Sequence, residues 1–105
     1  MTETTQPAPL AIIGAEYDIM WPTLTPGQIT QALTDAVTTY EQRCRHWEDC
    51  LTEFTAAAEA AAAGTPGARA RLTEARITWR IAGDLAREQG KMVASLARAA
   101  NARQA

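Results

Sequence analysis

Three sets of side chains in this sequence have types and spacing that chemistry could use. The first is a line of cations, Arg69, Arg76, Arg80, Arg87, Lys91 and Arg98, separated by 7, 4, 7, 4 and 7 residues. On a helix such spacing gathers them into one stripe, a footprint suited to phosphate oxygens along a groove. The second is the stretch CRHWEDC from Cys44 to Cys50. With Glu53 added, His46, Cys50 and Glu53 fall at i, i+4 and i+7 on one helical face, and all three are metal-donor types. The third is the run of carboxylates through the first half of the chain, the raw material of acid–base work.

Each set has a plainer reading. The metal triplet stands alone, without the paired ligand spacing of zinc modules, and the chain has one His in all. It has no Gly-rich phosphate loop followed by Lys, no nucleophile elbow and no second His. The acids recur at solvent-facing helical spacing. The expectation is a protein that is not an enzyme and takes no metal and no cofactor.

For the cationic stripe the plainer reading is the wet side of a packed helix. In the register derived below, Glu48 lies opposite Gly83 and Glu41 opposite Gly90, and the glycines would leave room for the carboxylates to reach Arg80 and Arg87. Trp79 belongs to the seam, so no aromatic residue interleaves with the arginines to stack a base. The cations left free, Arg69, Arg76 and Arg98, are where an anion or phosphate would bind.

Charge is divided along the chain. Residues 1–67 carry nine acids and two bases, a net of −7, whereas residues 68–105 carry three acids and eight bases, a net of +5; together they recover the overall −2. A chain so polarised can neutralise itself by folding its halves together or by stacking against other copies. The weak net charge speaks against a dedicated nucleic-acid binder. The opening MTETTQPAP lacks a basic n-region, and APLAIIGA is too short and poorly flanked for a signal or a membrane span. Cys44 and Cys50 lie about 9 Å apart along a helix, out of disulfide reach, and free thiols fit a reducing compartment. The expected location is the cytoplasm, or a particle assembled there.

The elements that position these residues are two long helices. Thr25-Pro26-Gly27 and Thr65-Pro66-Gly67 each offer a Thr N-cap with Pro at the first helical position. Gln28 completes a capping box at the first, and Gly64 is a natural C-cap. This predicts helices over about 26–63 and 66–103, joined too tightly for anything but an antiparallel hairpin. Apolar residues alternate by 4 and 3 on both, with Gln89 the one polar intrusion: Leu33, Val37, Tyr40, Cys44, Trp47, Leu51, Phe54, Ala58 and Ala61 on the first, and Ala68, Leu72, Ala75, Trp79, Ala82, Ala86, Gln89, Val93, Leu96 and Ala100 on the second. That is a heptad seam on each helix. Folding about Gly64–Gly67 pairs residues whose numbers sum to 129 or 130: Trp47 meets Ala82, Leu51 meets Trp79, Phe54 meets Ala75 and Gln89 faces Tyr40. The expected fold is all-α, an antiparallel helical hairpin over 25–105 with a coiled-coil-like seam, preceded by an extended apolar arm over 1–24.

Within the arm, Pro7, Pro9 and Pro22 oppose a long helix, with room for a short helical turn near 15–21. Its residues Ile12, Ile13, Tyr17, Met20 and Trp21 need a surface to cover. The second helix offers one in Ile77, Ile81, Leu85 and Met92, a second apolar stripe beside the seam that a two-helix hairpin cannot bury alone. Trp47 and Trp79 are read as core. Trp21 is either an interface anchor or a plug near Ile29 and Leu33.

In length and hairpin architecture alone the chain is similar to the WXG-type secretion substrates. Their Trp-x-Gly turn is absent: the turn here reads AAAAGTPGARA, and the tryptophans precede Pro-Thr, Glu-Asp and Arg-Ile. No family is assigned.

These features point to a structural or adaptor subunit, such as a phage or particle component, that forms homo-oligomers or joins a larger protein assembly without contacting a membrane. The alternatives are a nucleic-acid accessory protein using the basic stripe, and a small regulator or inhibitor of one host protein.

Overall fold

The computed structural model describes residues 12–104. Residues 1–11 of the expected arm and Ala105 lie outside that range. A 3-10 helix over Ala15–Met20 precedes α1 (Pro26–Ala62) and α2 (Ala68–Gln104), and α1 and α2 pack on each other as an antiparallel hairpin. The all-α hairpin, its helix lengths and the short turn within the arm are as expected.

The twin Thr-Pro-Gly sequences do different work. At α1, Thr25 Oγ1 accepts from the Gln28 N–H while Gln28 Oε1 accepts from the Thr25 N–H, a complete capping box with Pro26 in the first turn. The second copy has Ala68 where Gln28 stands, so no reciprocal cap can form. Instead the Ala68 N–H closes a turn onto Thr65 O, with Pro66 and Gly67 in the middle and Gly67 at φ +75. Pro followed by a positive-φ Gly is the residue pattern of a type II turn. The second helix therefore starts at Ala68, two residues later than expected. α1 ends in a Schellman motif: Gly64 has φ +75, its N–H donates to Ala61 O, and the Thr65 N–H donates to Ala60 O.

The register of the hairpin matches the expectation, but α1 is rotated about its axis. The indole of Trp47 lies against Gly83 and the ring of Tyr40 against Gly90, pairs that each sum to 130. On α2, the seam residues Ala68, Ala82, Ala86, Gln89 and Leu96 are buried as expected. On α1 the buried line is Ile29, Ala36, Cys50 and Ala57, with Arg43 part-buried in its middle position. Leu51 and Tyr40, expected in the seam, are exposed at 48% and 38%. Small side chains let the helices approach closely, so they occupy the line of closest contact. Larger residues flank it.

Arg43 fits that line because its guanidinium finds acceptors across it, donating to Leu85 O and to Gln89 Oε1. Gln89 Nε2 donates to Ala36 O at 3.1 Å. The expected Gln89–Tyr40 pairing is thus replaced, and Tyr40 packs on Gly90 instead.

The core lies at the open end of the hairpin, where Trp21, Ile29, Ala36 and Leu96 are buried together and Leu33, Met92 and Val93 pack around them. Trp21 is the plug, 8% exposed, with its Nε1–H donating to Ser95 Oγ at 2.8 Å. Toward the turn, Phe54 and Trp79 meet edge to face, centroids 5.5 Å apart at 84°.

Candidate interaction surface

The arm docks on its own hairpin, and its polar groups hold it there. Tyr17 donates from its hydroxyl to Glu88 Oε2 at 2.9 Å. Asp18 accepts from Ser95 and from Arg98, whose guanidinium also donates to Ile13 O. Lys91 pairs with Glu88 at 2.9 Å and with Glu16 at 3.9 Å. Arg103 donates to the carbonyls of Trp21, Pro22 and Leu24, tying the arm–α1 link to the end of α2. Gly14, at φ +75, lies so close to α2 that a Cβ there would fall 2.0 Å from Lys91 O.

This network shifts its own titrations. The bonds from Ser95 and then Arg98 hold the Asp18 carboxyl below its ordinary range. Those from Lys91 and Tyr17 do the same for Glu88. The Glu88 partner raises Tyr17 and Lys91.

Docking covers only part of the α2 stripe. Met92 joins the core cluster, but Ile77, Ile81 and Leu85 remain 54%, 54% and 47% exposed. On the arm, Tyr17 and Trp21 face inward, while Ile12, Ile13, Ile19 and Met20 face out at 62%, 66%, 85% and 52%. Arg98, expected to be free for an anion, is engaged by Asp18 and Ile13 because the arm folds onto it.

Two expectations about the basic stripe are overturned. Gly83 and Gly90 do not make room for Glu48 and Glu41; a Cβ would meet Trp47 Nε1 at 2.9 Å and Tyr40 Cε1 at 3.0 Å. The space is filled by aromatic rings. The ion pairs of α2 are instead Arg87–Asp84, Lys91 with Glu88 and Glu16, and Arg98–Asp18. Among the described residues, Arg69, Arg76 and Arg80 join none.

Aromatic and basic side chains also share one face. The Arg87 guanidinium carbon sits 5.9 Å from the Trp47 ring centroid. Trp47, Trp79, Arg80, Gly83 and Arg87 line one shallow hollow, and Trp47, Trp79, Leu51, Cys44 and Glu48 line the next. A third, of about 560 Å³, is floored by Phe54, Ala58 and Leu72 and rimmed by Arg76, Ile77 and Arg80. Shared lining residues make the three continuous along the hairpin.

Cys44 and Cys50 are free thiols, and Cys50 Sγ lies 3.6 Å from His46 Nε2. Burial, then the charges of Glu53 and Asp49, push the Cys50 thiol up. Among the described residues no three His, Cys, Asp or Glu side chains converge as a metal site would require, and no helix is long and apolar enough to cross a membrane.

Ser95, Gln89 and Arg103 organise this architecture without having been singled out from the sequence as functional. Ser95 carried a faint signal as the only Ser of the chain. Arg103 carried none, because a cation in a last helical turn is ordinary. No protein-family model, curated protein or solved structure matches the chain.

Proposed function

We propose that the chain is a non-enzymatic structural or adaptor subunit whose role is to associate with protein, its own copies or a larger assembly. The observation that carries this is the distribution of large apolar residues. Nine are exposed among the described residues (Ile12, Ile13, Ile19, Met20, Tyr40, Leu51, Ile77, Ile81 and Leu85) against Trp21, Ile29 and Leu96 buried. Scattered exposed apolar residues are normal. Here seven of the nine fall into two groups, Ile12, Ile13, Ile19 and Met20 on the arm and Ile77, Ile81 and Leu85 one turn apart on α2, and a monomer seldom leaves large apolar patches open.

The test is native mass, measured on the purified chain and in extracts of cells that make it. A particle heavier than one chain is expected in at least one. The mass of a single chain in both would refute the reading.

A second reading, an accessory protein that binds single-stranded nucleic acid, is favoured by Arg76, Arg80 and Arg87 interleaved with Phe54, Trp47 and Trp79. Stacking rings beside cations are what such binding uses. It requires retention of labelled single strands that falls steeply with salt. No retention at low salt would remove it.

A further inference from the structure

The seam of a two-helix hairpin has no third layer above it, so the face carrying Trp47, Leu51, Phe54 and Trp79 is open along its length. The charges bordering that face have a spacing that the fold itself leaves unused. On α2, Arg69, Arg80 and Arg87 follow one another at intervals of 11 and 7 residues; on α1, Glu59, Glu48 and Glu41 do so in the opposite direction at the same intervals. Intervals of 7 and 11 keep each set in one line on its helix. All six are exposed. Paired in that order, Arg69 with Glu59, Arg80 with Glu48 and Arg87 with Glu41, every pair sums to 128, within two of the hairpin's own register.

Within one chain these pairs are not made. Arg87 turns to Asp84 three residues away, and Arg69 and Arg80 have no carboxylate partner among the described residues. Glu48 lies at the rim of the hollow between Trp47 and Leu51, on the α1 border of the open face, while Arg80 lies on the α2 border. The aromatic seam stands between them.

A second copy removes that separation. A two-fold axis parallel to the hairpin's long axis, above the open face, lays α1 of one copy over α2 of the other at the same height. The register of the fold then becomes the register of the interface, and each glutamate line comes to lie along an arginine line. The Trp47–Leu51–Phe54–Trp79 strip meets itself in the centre, where a closed, isologous contact requires self-complementarity.

We propose that the chain forms a two-fold symmetric dimer through this face, a four-helix bundle bordered on each side by Arg69–Glu59, Arg80–Glu48 and Arg87–Glu41 pairs between copies. This rests on the association reading above and names its partner as a second copy. A two-fold contact of α2 with α2 through Ile77, Ile81 and Leu85 would instead set the arginine line against itself.

The test compares three full-length proteins by sedimentation: the native chain, the triple variant Glu41→Lys, Glu48→Lys, Glu59→Lys, and the triple variant Arg69→Glu, Arg80→Glu, Arg87→Glu. The native chain is expected at twice its monomer mass. Each variant, helical by circular dichroism, is expected to associate at least about tenfold more weakly. An equimolar mixture of the two is expected to return to the two-chain mass, because every border then faces its opposite. Leu51→Glu, at a half-exposed position that the hairpin core does not use, is expected to give a folded monomer and covers the case in which a triple variant fails to fold.

A native monomer at hundreds of micromolar overturns the proposal. So do triple variants that dimerise like the native chain, a mixture that stays monomeric, or an open series of masses in place of a two-chain limit. Single-stranded nucleic acid that binds the native chain while protein alone stays monomeric likewise assigns the face elsewhere. If the purified chain is monomeric but cell extracts hold it in a larger particle, the dimer falls and the broader association reading stands.

Discussion

Replacing Trp21 by Ala tests whether the arm is part of the folded unit. Full burial of a Trp removes about 150–250 Å² from water, which at about 25 cal/mol per Å² sets an upper bound near 4–6 kcal/mol. Trp21 is 8% exposed and its indole N–H is bonded to Ser95, so it lies near that limit. Truncations of buried aromatics cost about 3–5 kcal/mol, a large part of the stability of a domain this size. With a urea slope of about 2 kcal/mol per M, the midpoint should fall by roughly 2 M. Trp47→Ala supplies the contrast: Trp47 is half-buried, its Nε1–H has no hydrogen-bond partner, and one side opens onto a hollow. Its cost should stay below about 2 kcal/mol. Urea unfolding followed by far-ultraviolet circular dichroism avoids the optical change of losing a Trp. Work near 1 µM keeps association from adding to either value. If Trp47→Ala costs more than Trp21→Ala, or if Trp21→Ala shifts the midpoint by less than about 0.5 M, the arm does not dock on its own hairpin and the reasoning is refuted.

Gly14→Ala forces a side chain into the left-handed region, at about 1–2 kcal/mol, and drives its Cβ to 2.0 Å from a backbone oxygen that no rotamer change can move. The arm should lift while both helices persist. Hydrogen exchange should rise over 14–21 and stay unchanged over the turn, whereas unchanged protection of the arm would count against the docking. Docking should also weaken at both pH extremes. Asp18 and Glu88 titrate below their ordinary range when folded, so their contribution is complete above about pH 4 and disappears as pH falls through the folded values. Tyr17 and Lys91 titrate above theirs, so their contribution holds below about pH 10 and disappears as pH rises further. The Trp21 indole N–H resonance should report both transitions, and a resonance unmoved from pH 2 to 12 would contradict the network. Gly83→Ala gains about 1 kcal/mol of helix propensity but places a Cβ 2.9 Å from Trp47 Nε1. The half-exposed ring should swing outward, leaving stability within about 1 kcal/mol of native and shifting Trp emission to the red; unshifted emission would mean that the ring does not fill the glycine's space.

Much of this fold is legible in the sequence, and the misreadings share a cause. The hairpin is announced by Gly64, the capping box at Thr25 and a heptad pattern on α2 that matches the buried residues. On α1 the pattern misleads because its strongest apolar signals, Leu51 and Tyr40, flank the contact. The line of closest contact is built from Ala36, Cys50 and Ala57, which score weakly as core, and from Arg43, which scores as surface. A long side chain whose charge is satisfied by Gln89 and Leu85 across the joint reads in sequence like one that never enters. The two Thr-Pro-Gly tripeptides look alike, and what separates them is the next residue, Gln28 against Ala68.

The candidate surface was harder to read, for a reason of geometry. A sequence pattern sorts residues into inside and outside, and that binary suits a helix packed in a many-layered core. In two helices alone, a large residue flanking the line of closest contact is covered on the side of its partner and open on the other. Trp47 and Trp79 are therefore seam and surface at once, and assigning them to the seam hid that they share a face with Arg76, Arg80 and Arg87. The same geometry explains the glycines. At Gly83 and Gly90 the helix gives up its own side chains so that Trp47 and Tyr40 can approach its backbone, where a Cβ would meet their rings at 2.9 and 3.0 Å. Each helix-interior glycine costs about 1 kcal/mol relative to Ala, and Trp47, seated against Gly83, still faces an open hollow; a second layer over that hollow would offset the cost.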